Sequence, residues 1–165
     1  MPGVKEAAVL ILLWGTPPRV LLVRKNCNLD GYWACDIALP GGHIREGESI
    51  EDTALREAWE EAWIFPRYVE IRAKLKPEKT LSGDRLIHPV VGLPKGPLCP
   101  RPASEEVDAV FLHPLSILEK RPERVLHPKR GIMVEGYEVA GGVLWGATLR
   151  ILRRLQLYLQ ESKIL

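Results

Sequence analysis

The chain has 165 residues, 46% of them hydrophobic and 27% charged, which fits one globular domain with a proper core. A formal net charge of +2 gives no footing for a nucleic acid or a membrane surface as a partner recognised through bulk charge. Cys27, Cys35 and Cys99 are odd in number and lack CxxC spacing, which predicts reduced thiols rather than a zinc site or a disulfide framework.

Along the chain, the apolar runs 7–14 and 19–25, separated by Gly-Thr-Pro-Pro, predict two strands joined by a tight connection. The first run, AAVLILLW, is too short to span a membrane and has neither a basic start nor an evident cleavage site, so a cytoplasmic protein is expected. Residues 26–36 carry Asn26, Asn28, Asp30 and Gly31 and predict a loop, and Pro40-Gly41-Gly42 punctuates the backbone. A helix is predicted over 49–63, with Ser49 as N-cap and Asp52 in the capping-box position, and Pro66 as its stop. Strands are predicted over 68–75, 87–93, 107–113 and 131–139, a proline-rich loop over 94–104 and a helical turn over 115–119. Trp145, Leu149, Leu152, Leu155 and Leu159 recur at helical spacing and predict a second helix over 145–160. Strands and helices alternating in one chain predict an α/β fold with helices layered on a sheet.

The first helix gathers acids. With Glu57 at zero on a wheel of 100° per residue, Glu60 falls at about −60° and Glu61 at about +40°. Ala54, Leu55, Ala58 and Ala62 form an apolar stripe beside them, so the acids border the buried face. Like charges at such spacings weaken a helix, and a divalent cation turns their repulsion into coordination. Carboxylate oxygens suit Mg²⁺ or Mn²⁺ rather than zinc. Residues 41–70 hold eight acids and three Lys/Arg, whereas residues 71–101 hold two acids and seven Lys/Arg. This asymmetry suits a metal ion beside an anionic substrate, and equally two solvated faces. Trp59 and Trp63 stand four apart and suit ring packing or a homodimer interface. Trp63 is expected at an ordinary φ below zero, with the helix ended by other means. His43, His88, His113 and His127 share no ligand spacing, so no metal role is assigned to them.

Gly42, then five residues, Glu48, then seven residues, then Arg56-Glu57-Ala58-Trp59-Glu60-Glu61-Ala62-Trp63-Ile64 resembles the Nudix box. Two departures stand out: Trp63 replaces the final glycine of the box, and Ala58 is small for its class. The resemblance implies a Nudix-type α/β/α sandwich with a mixed sheet, in one domain over residues 1–165. It implies hydrolysis of a small-molecule nucleotide substrate, a nucleoside diphosphate linked to another group, with Mg²⁺ or Mn²⁺. It further implies Glu57, Glu60 and Glu61 as metal ligands, Gly41 as a carbonyl ligand, and Glu48 with Arg56 as a supporting ion pair.

More of the chain resembles the coenzyme A pyrophosphatases within this family. The stretches are LLVRK at 21–25, WACDIALPGG at 33–42 and WGATLRIL at 145–152. Leu39 and Lys25 depart from that subgroup, which has Phe and Arg. SEEV at 104–107 resembles a segment that often holds a further catalytic acid in Nudix domains. Glu61 and Glu106 are therefore both candidates for the general base, and ADP-ribose, a dinucleotide or a nucleoside triphosphate are alternative substrates, with an inactive binding module as a third reading. Arg24, Lys25, Lys74, Lys79 and Arg85 are candidate phosphate contacts.

Overall fold

In strand β1 (Lys5–Trp14) every residue from Leu10 to Leu13 is inaccessible to solvent, because both faces of the strand are covered. Leu10 and Leu12 pack with Ala54, Ala58 and Ala62 of helix α1 (Ile50–Ala62). Ile11 and Leu13 pack with Leu149, Ile151, Leu152 and Leu155 of helix α2 (Gly146–Ser162). The period-two alternation of a strand thus feeds one helix on each side of the sheet. These positions come from a computed structural model that describes residues 3–31 and 33–162.

In chain order the remaining elements are β2 (Arg19–Lys25), β3 (Ile37–Ala38), β4 (Gly41–His43), α1, β5 (Val69–Lys74), β6 (Glu78–Lys79), β7 (Arg85–Pro94), β8 (Val107–Pro114), β9 (Glu123–Leu126), β10 (Met133–Val139), β11 (Gly142–Trp145) and α2. The main sheet is mixed: β1 runs parallel to β7 along one edge, and its other edge is shared. There β2 pairs antiparallel at Leu13 and Trp14, and β4 pairs antiparallel with Ala7 to Val9. The Leu10 N–H fills the gap between them by donating to the Pro40 carbonyl at 2.9 Å. This sharing brings Gly41 and Gly42 beneath α1. Strands β8 and β3 flank β2, β5 and β6 flank β7, and β9, β10 and β11 form a separate antiparallel sheet. The α/β/α sandwich with a mixed sheet is therefore the observed architecture.

Two expectations are corrected. Trp63 adopts the left-handed conformation, φ 59° and ψ 39°, and not a φ below zero. Its N–H reaches the Ala58 and Trp59 carbonyls, and the chain reverses sharply enough to bury Ile64 completely. Burying an isoleucine is worth about 1.5–3 kcal/mol, which offsets a left-handed cost of about 1–2 kcal/mol. Cys27 and Cys35 form a disulfide with Cα atoms 4.5 Å apart, so reduced thiols describe Cys99 alone. The loop they close lies between β2 and β3, and sheet pairing of those strands brings its two ends together. None of the described helices is long and apolar enough to cross a membrane.

Candidate active site

Helix α1 begins where expected, with the Asp52 N–H donating to Ser49 Oγ at 3.0 Å. Its alanine stripe lies flat on the sheet, which fixes the rotation of the helix and sends the acids to the edge of the buried face. Arg56 is the hub of the acidic cluster. Its Nε donates to Glu48 Oε2 at 2.7 Å and its Nη2 to Glu48 Oε1 at 3.0 Å, a bidentate pair. Nη1 reaches Glu57 Oε1 at 2.8 Å and Glu60 Oε2 at 3.3 Å. Nη2 also donates to the His43 carbonyl at 3.2 Å, tying α1 to β4. Glu48 accepts two further bonds, from the Arg45 N–H and from Thr53 Oγ1, each at 3.0 Å. The Arg56 guanidinium, followed by the Arg45 N–H, holds the Glu48 carboxyl down at about 2.

Gly42 is glycine because Glu57 lies on it: a Cβ there would sit 2.5 Å from the Glu57 carboxyl carbon. Glu61 occupies a different environment from its neighbours. It is 3% exposed, and its Oε1 accepts the Gly41 N–H at 3.2 Å while Oε2 faces Lys25 Nζ at 3.1 Å. Burial pushes its pKa up, against the opposing pull of Lys25 and the Gly41 N–H. Lys25 is thus committed to a buried carboxylate, which corrects its place among the phosphate contacts. Lys74 pairs with Glu51 at 3.4 Å and Arg24 with Asp108 at 2.7 Å, so these two are likewise committed elsewhere. Glu106 is exposed just before β8, and its carbonyl accepts the Asn26 N–H at 2.9 Å.

Against this geometry stands a match in sequence. A model of the NUDIX domain family fits residues 4–133. The chain belongs to the Nudix family. NudL, a Nudix hydrolase of Escherichia coli O157:H7, is 34% identical over 163 residues, covering 93% of this chain and 82% of NudL. Among solved structures, the Nudix hydrolase RenU of M. smegmatis superposes with a TM-score of 0.68 at 19% identity, covering 99% of this chain and 90% of RenU. The Nudix domain of Shewanella oneidensis NrtR, solved with ADP ribose, gives a TM-score of 0.63 at 19% identity, covering 95% of this chain and 89% of that one. These structural likenesses show a shared fold.

Nudix enzymes generally use divalent ions such as Mg²⁺ or Mn²⁺, and the donor set here suits them in kind: three carboxylates within about one helical turn. Among the described residues no three His, Cys, Asp or Glu side chains converge on one point. Instead, Glu57 and Glu60 share Arg56 Nη1 and Glu61 faces Lys25. Glu60, with its side chain 39% exposed, is the acid freest to exchange the guanidinium for an ion.

Beside the Nudix box lies a cleft of about 420 Å³. Gly41, Gly42 and Lys25 line one part of it, and Trp33, Asp36, Arg85, Arg130, Trp145 and Arg150 line others. Asp36 organises its wall. Asp36 Oδ1 accepts Trp145 Nε1 at 2.9 Å and faces His127 Nε2 at 2.7 Å. His127 is wholly buried, and its Nδ1 accepts the Lys129 and Arg130 N–H groups, each at 3.2 Å. Two donors on Nδ1 put the ring hydrogen on Nε2, aimed at Asp36. Arg130 lies over the Trp145 ring at 4.9 Å and approaches Asp36 Oδ2 at 3.8 Å. Sequence spacing gave no sign of this group, because its members come from three distant segments. Glu78 similarly ties α2 to β6, bonding Arg150 at 2.8 Å and Arg154 at 2.6 Å.

Proposed function

We propose that this Nudix pyrophosphohydrolase cleaves the pyrophosphate of coenzyme A or an acyl-coenzyme A. The observation that carries the proposal is the composition of the cleft beside the box: besides Lys25, which is held by Glu61, three arginines line it, Arg85, Arg130 and Arg150, against two acidic side chains, Asp36 and Asp84. Coenzyme A brings a third phosphate beyond its pyrophosphate, so a cation-rich cleft suits it. The resemblance at 33–42 and 145–152 points the same way, and both stretches contribute residues to the cleft.

In this mechanism a water attacks phosphorus and the pyrophosphate linkage opens. Glu57, Glu60 and Glu61, with the Gly41 carbonyl, would hold Mg²⁺ or Mn²⁺. The ion would neutralise phosphate charge and acidify the attacking water. Glu48 and Arg56 position the box acids: the guanidinium spans Glu48, Glu57, Glu60 and the His43 carbonyl. Glu61 would accept the water's proton, since it abuts Gly41 at the cleft. Glu106, exposed beside the neck of the 26–36 loop, is the alternative base, and Glu61→Gln against Glu106→Gln separates the two. Trp59 and Trp63 are its proposed homodimer contact.

The test is incubation with coenzyme A, ADP-ribose, dinucleotides and nucleoside triphosphates in Mg²⁺ or Mn²⁺, with products identified by mass. Phosphopantetheine and adenosine 3′,5′-bisphosphate are the expected products of coenzyme A. Turnover of ADP-ribose with none of coenzyme A would instead favour the second reading, to which the ADP ribose in the NrtR structure lends support.

A further inference from the structure

We infer that Trp33 is a stacking platform for the nucleobase of the bound nucleotide, held in place by the Cys27–Cys35 disulfide, an inference resting on the nucleotide-cleaving reading above. Trp33 is 46% exposed although it lines the same cleft as Gly41 and Gly42. Its other side is occupied. A Cβ on Gly31 would meet Trp33 Cε2 at 3.0 Å, with Cζ2 and Nε1 at 3.2 Å. Cε2 is bonded to both of those atoms, so a point nearest to it lies over the flat face of the indole and not at its rim. One face of the ring therefore rests on the Gly31 backbone, and the ring is both exposed and part of the cleft lining.

An exposed tryptophan on a floppy loop would be an ordinary surface residue. This loop is closed at its neck. The disulfide joins Cys27 to Cys35, and the Cys35 N–H donates to the Lys25 carbonyl at 2.9 Å. Cys35 takes φ 68°, and its carbonyl accepts the Val143 N–H at 3.0 Å. The Ala34 N–H bonds the Gly31 carbonyl at 3.1 Å and the Asp36 N–H bonds the Trp33 carbonyl at 2.9 Å, so Trp33 sits within two consecutive turns. Immediately after them, Asp36 is locked by His127 and Trp145. Holding an indole in advance removes ordering cost from binding. A planar base is the ligand group that uses a flat, half-covered aromatic face, and the basic residues of the same cleft suit the phosphates attached to it.

The experiment is calorimetric titration of the intact protein with AMP and with ribose 5-phosphate, which carries the same phosphate without the base. AMP is expected to bind the wild type more tightly than ribose 5-phosphate. Trp33→Ala should weaken AMP about tenfold or more and leave ribose 5-phosphate unchanged, while Trp33→Phe retains most of the AMP affinity. A Cys27→Ser/Cys35→Ser double variant should weaken AMP in the same direction, and should add nothing to Trp33→Ala. Equal affinity of the wild type for the two ligands, or AMP binding indifferent to Trp33→Ala, overturns the platform. Full AMP affinity in the double serine variant overturns the role of the disulfide. These binding measurements need no turnover, so failure to hydrolyse coenzyme A leaves them decisive, and loss of the platform leaves the hydrolase reading intact.

Discussion

Replacing Trp63 separates two opposing effects at one residue. Its ring stacks on Trp59 at 6.5 Å and 22°, meets Phe65 edge-on at 5.1 Å, and lies under Arg101 at 5.0 Å. Each aromatic pair is worth about 0.5–1.5 kcal/mol and a partly exposed cation–π contact about 0.5–1 kcal/mol. Trp63→Gly therefore loses about 1.5–4 kcal/mol of contact and regains about 1–2 kcal/mol by removing a Cβ from the left-handed region. The net is destabilisation by about 1 kcal/mol, or about 2–4 °C in Tm for a chain of this size. Trp63→Ala loses the same contacts and keeps the backbone cost at φ 59°, so it should fall about 1 kcal/mol below Trp63→Gly. Urea unfolding followed by far-ultraviolet circular dichroism, compared at equal m-values, measures the difference. The Glu60 and Glu61 positions lie upstream of the cap, so hydrolysis by Trp63→Gly should stay within about twofold of wild type, the kinetic counterpart of a ΔΔG‡ near zero. An alanine variant as stable as the glycine variant would refute the strained-cap reasoning. Activity gained from nothing in Trp63→Gly would instead mark the natural chain as an inactive binding module.

The box residues give three further expected outcomes. Gly42→Ala places a Cβ 2.5 Å from the Glu57 carboxyl carbon, and because a side-chain end can move aside, thermal melts should change little while hydrolysis falls tenfold or more, about 1.4 kcal/mol in the barrier. Glu57→Gln leaves Arg56 paired to Glu48 and Glu60, so stability should hold within about 1 kcal/mol while metal-dependent turnover drops by orders of magnitude. Unchanged turnover would remove Glu57 from the metal site, and chelation of the wild type with EDTA should abolish activity until Mg²⁺ or Mn²⁺ is restored. Lys25→Met leaves Glu61 buried without its cation, a loss of about 3–5 kcal/mol for breaking such a pair at neutral pH. Removing Lys25 lifts an already raised pKa, so the folded state gains by protonating Glu61: the deficit should shrink as pH falls through the folded-state pKa and be largest above it. A deficit that does not vary with pH would show that Lys25 acts through packing alone.

How much of the fold and the site was legible in the sequence depends on how local the cause is. Helix α1 was readable because Ser49, the alanine stripe and the acid spacing all act within a few residues of one another. The long strands were readable from apolar runs, whereas β3, β4, β6, β9 and β11 are two to four residues long and owe their geometry to a neighbour's edge. Gly41 and Gly42 read as a turn and proved to be a strand because β1 had an edge to fill there. Lys25 lies 36 residues from Glu61, and only the packing of β2 against α1 joins them. The Cys27–Cys35 bond and the Asp36, His127 and Trp145 group were hidden for the same reason, since tertiary placement and not spacing creates them. The left-handed Trp63 is likewise non-local in cause, since the burial of Ile64 that offsets its cost is a tertiary contact.

The shared guanidinium of Arg56 makes the acidic helix its own counter-ion. Glu57 and Glu60 meet at one nitrogen, Nη1, so their mutual repulsion is already met by a cation on a tether. The helix has no need of a visiting ion to stay wound, and an ion held by these two acids, as proposed, would have to displace a rival that never diffuses away. Occupancy by the proposed Mg²⁺ or Mn²⁺ would then be a contest between a covalently attached cation and a free one, decided by the free ion's concentration and by the phosphates that arrive with it. A helix wired in this way would stay folded with or without the divalent ion proposed for it.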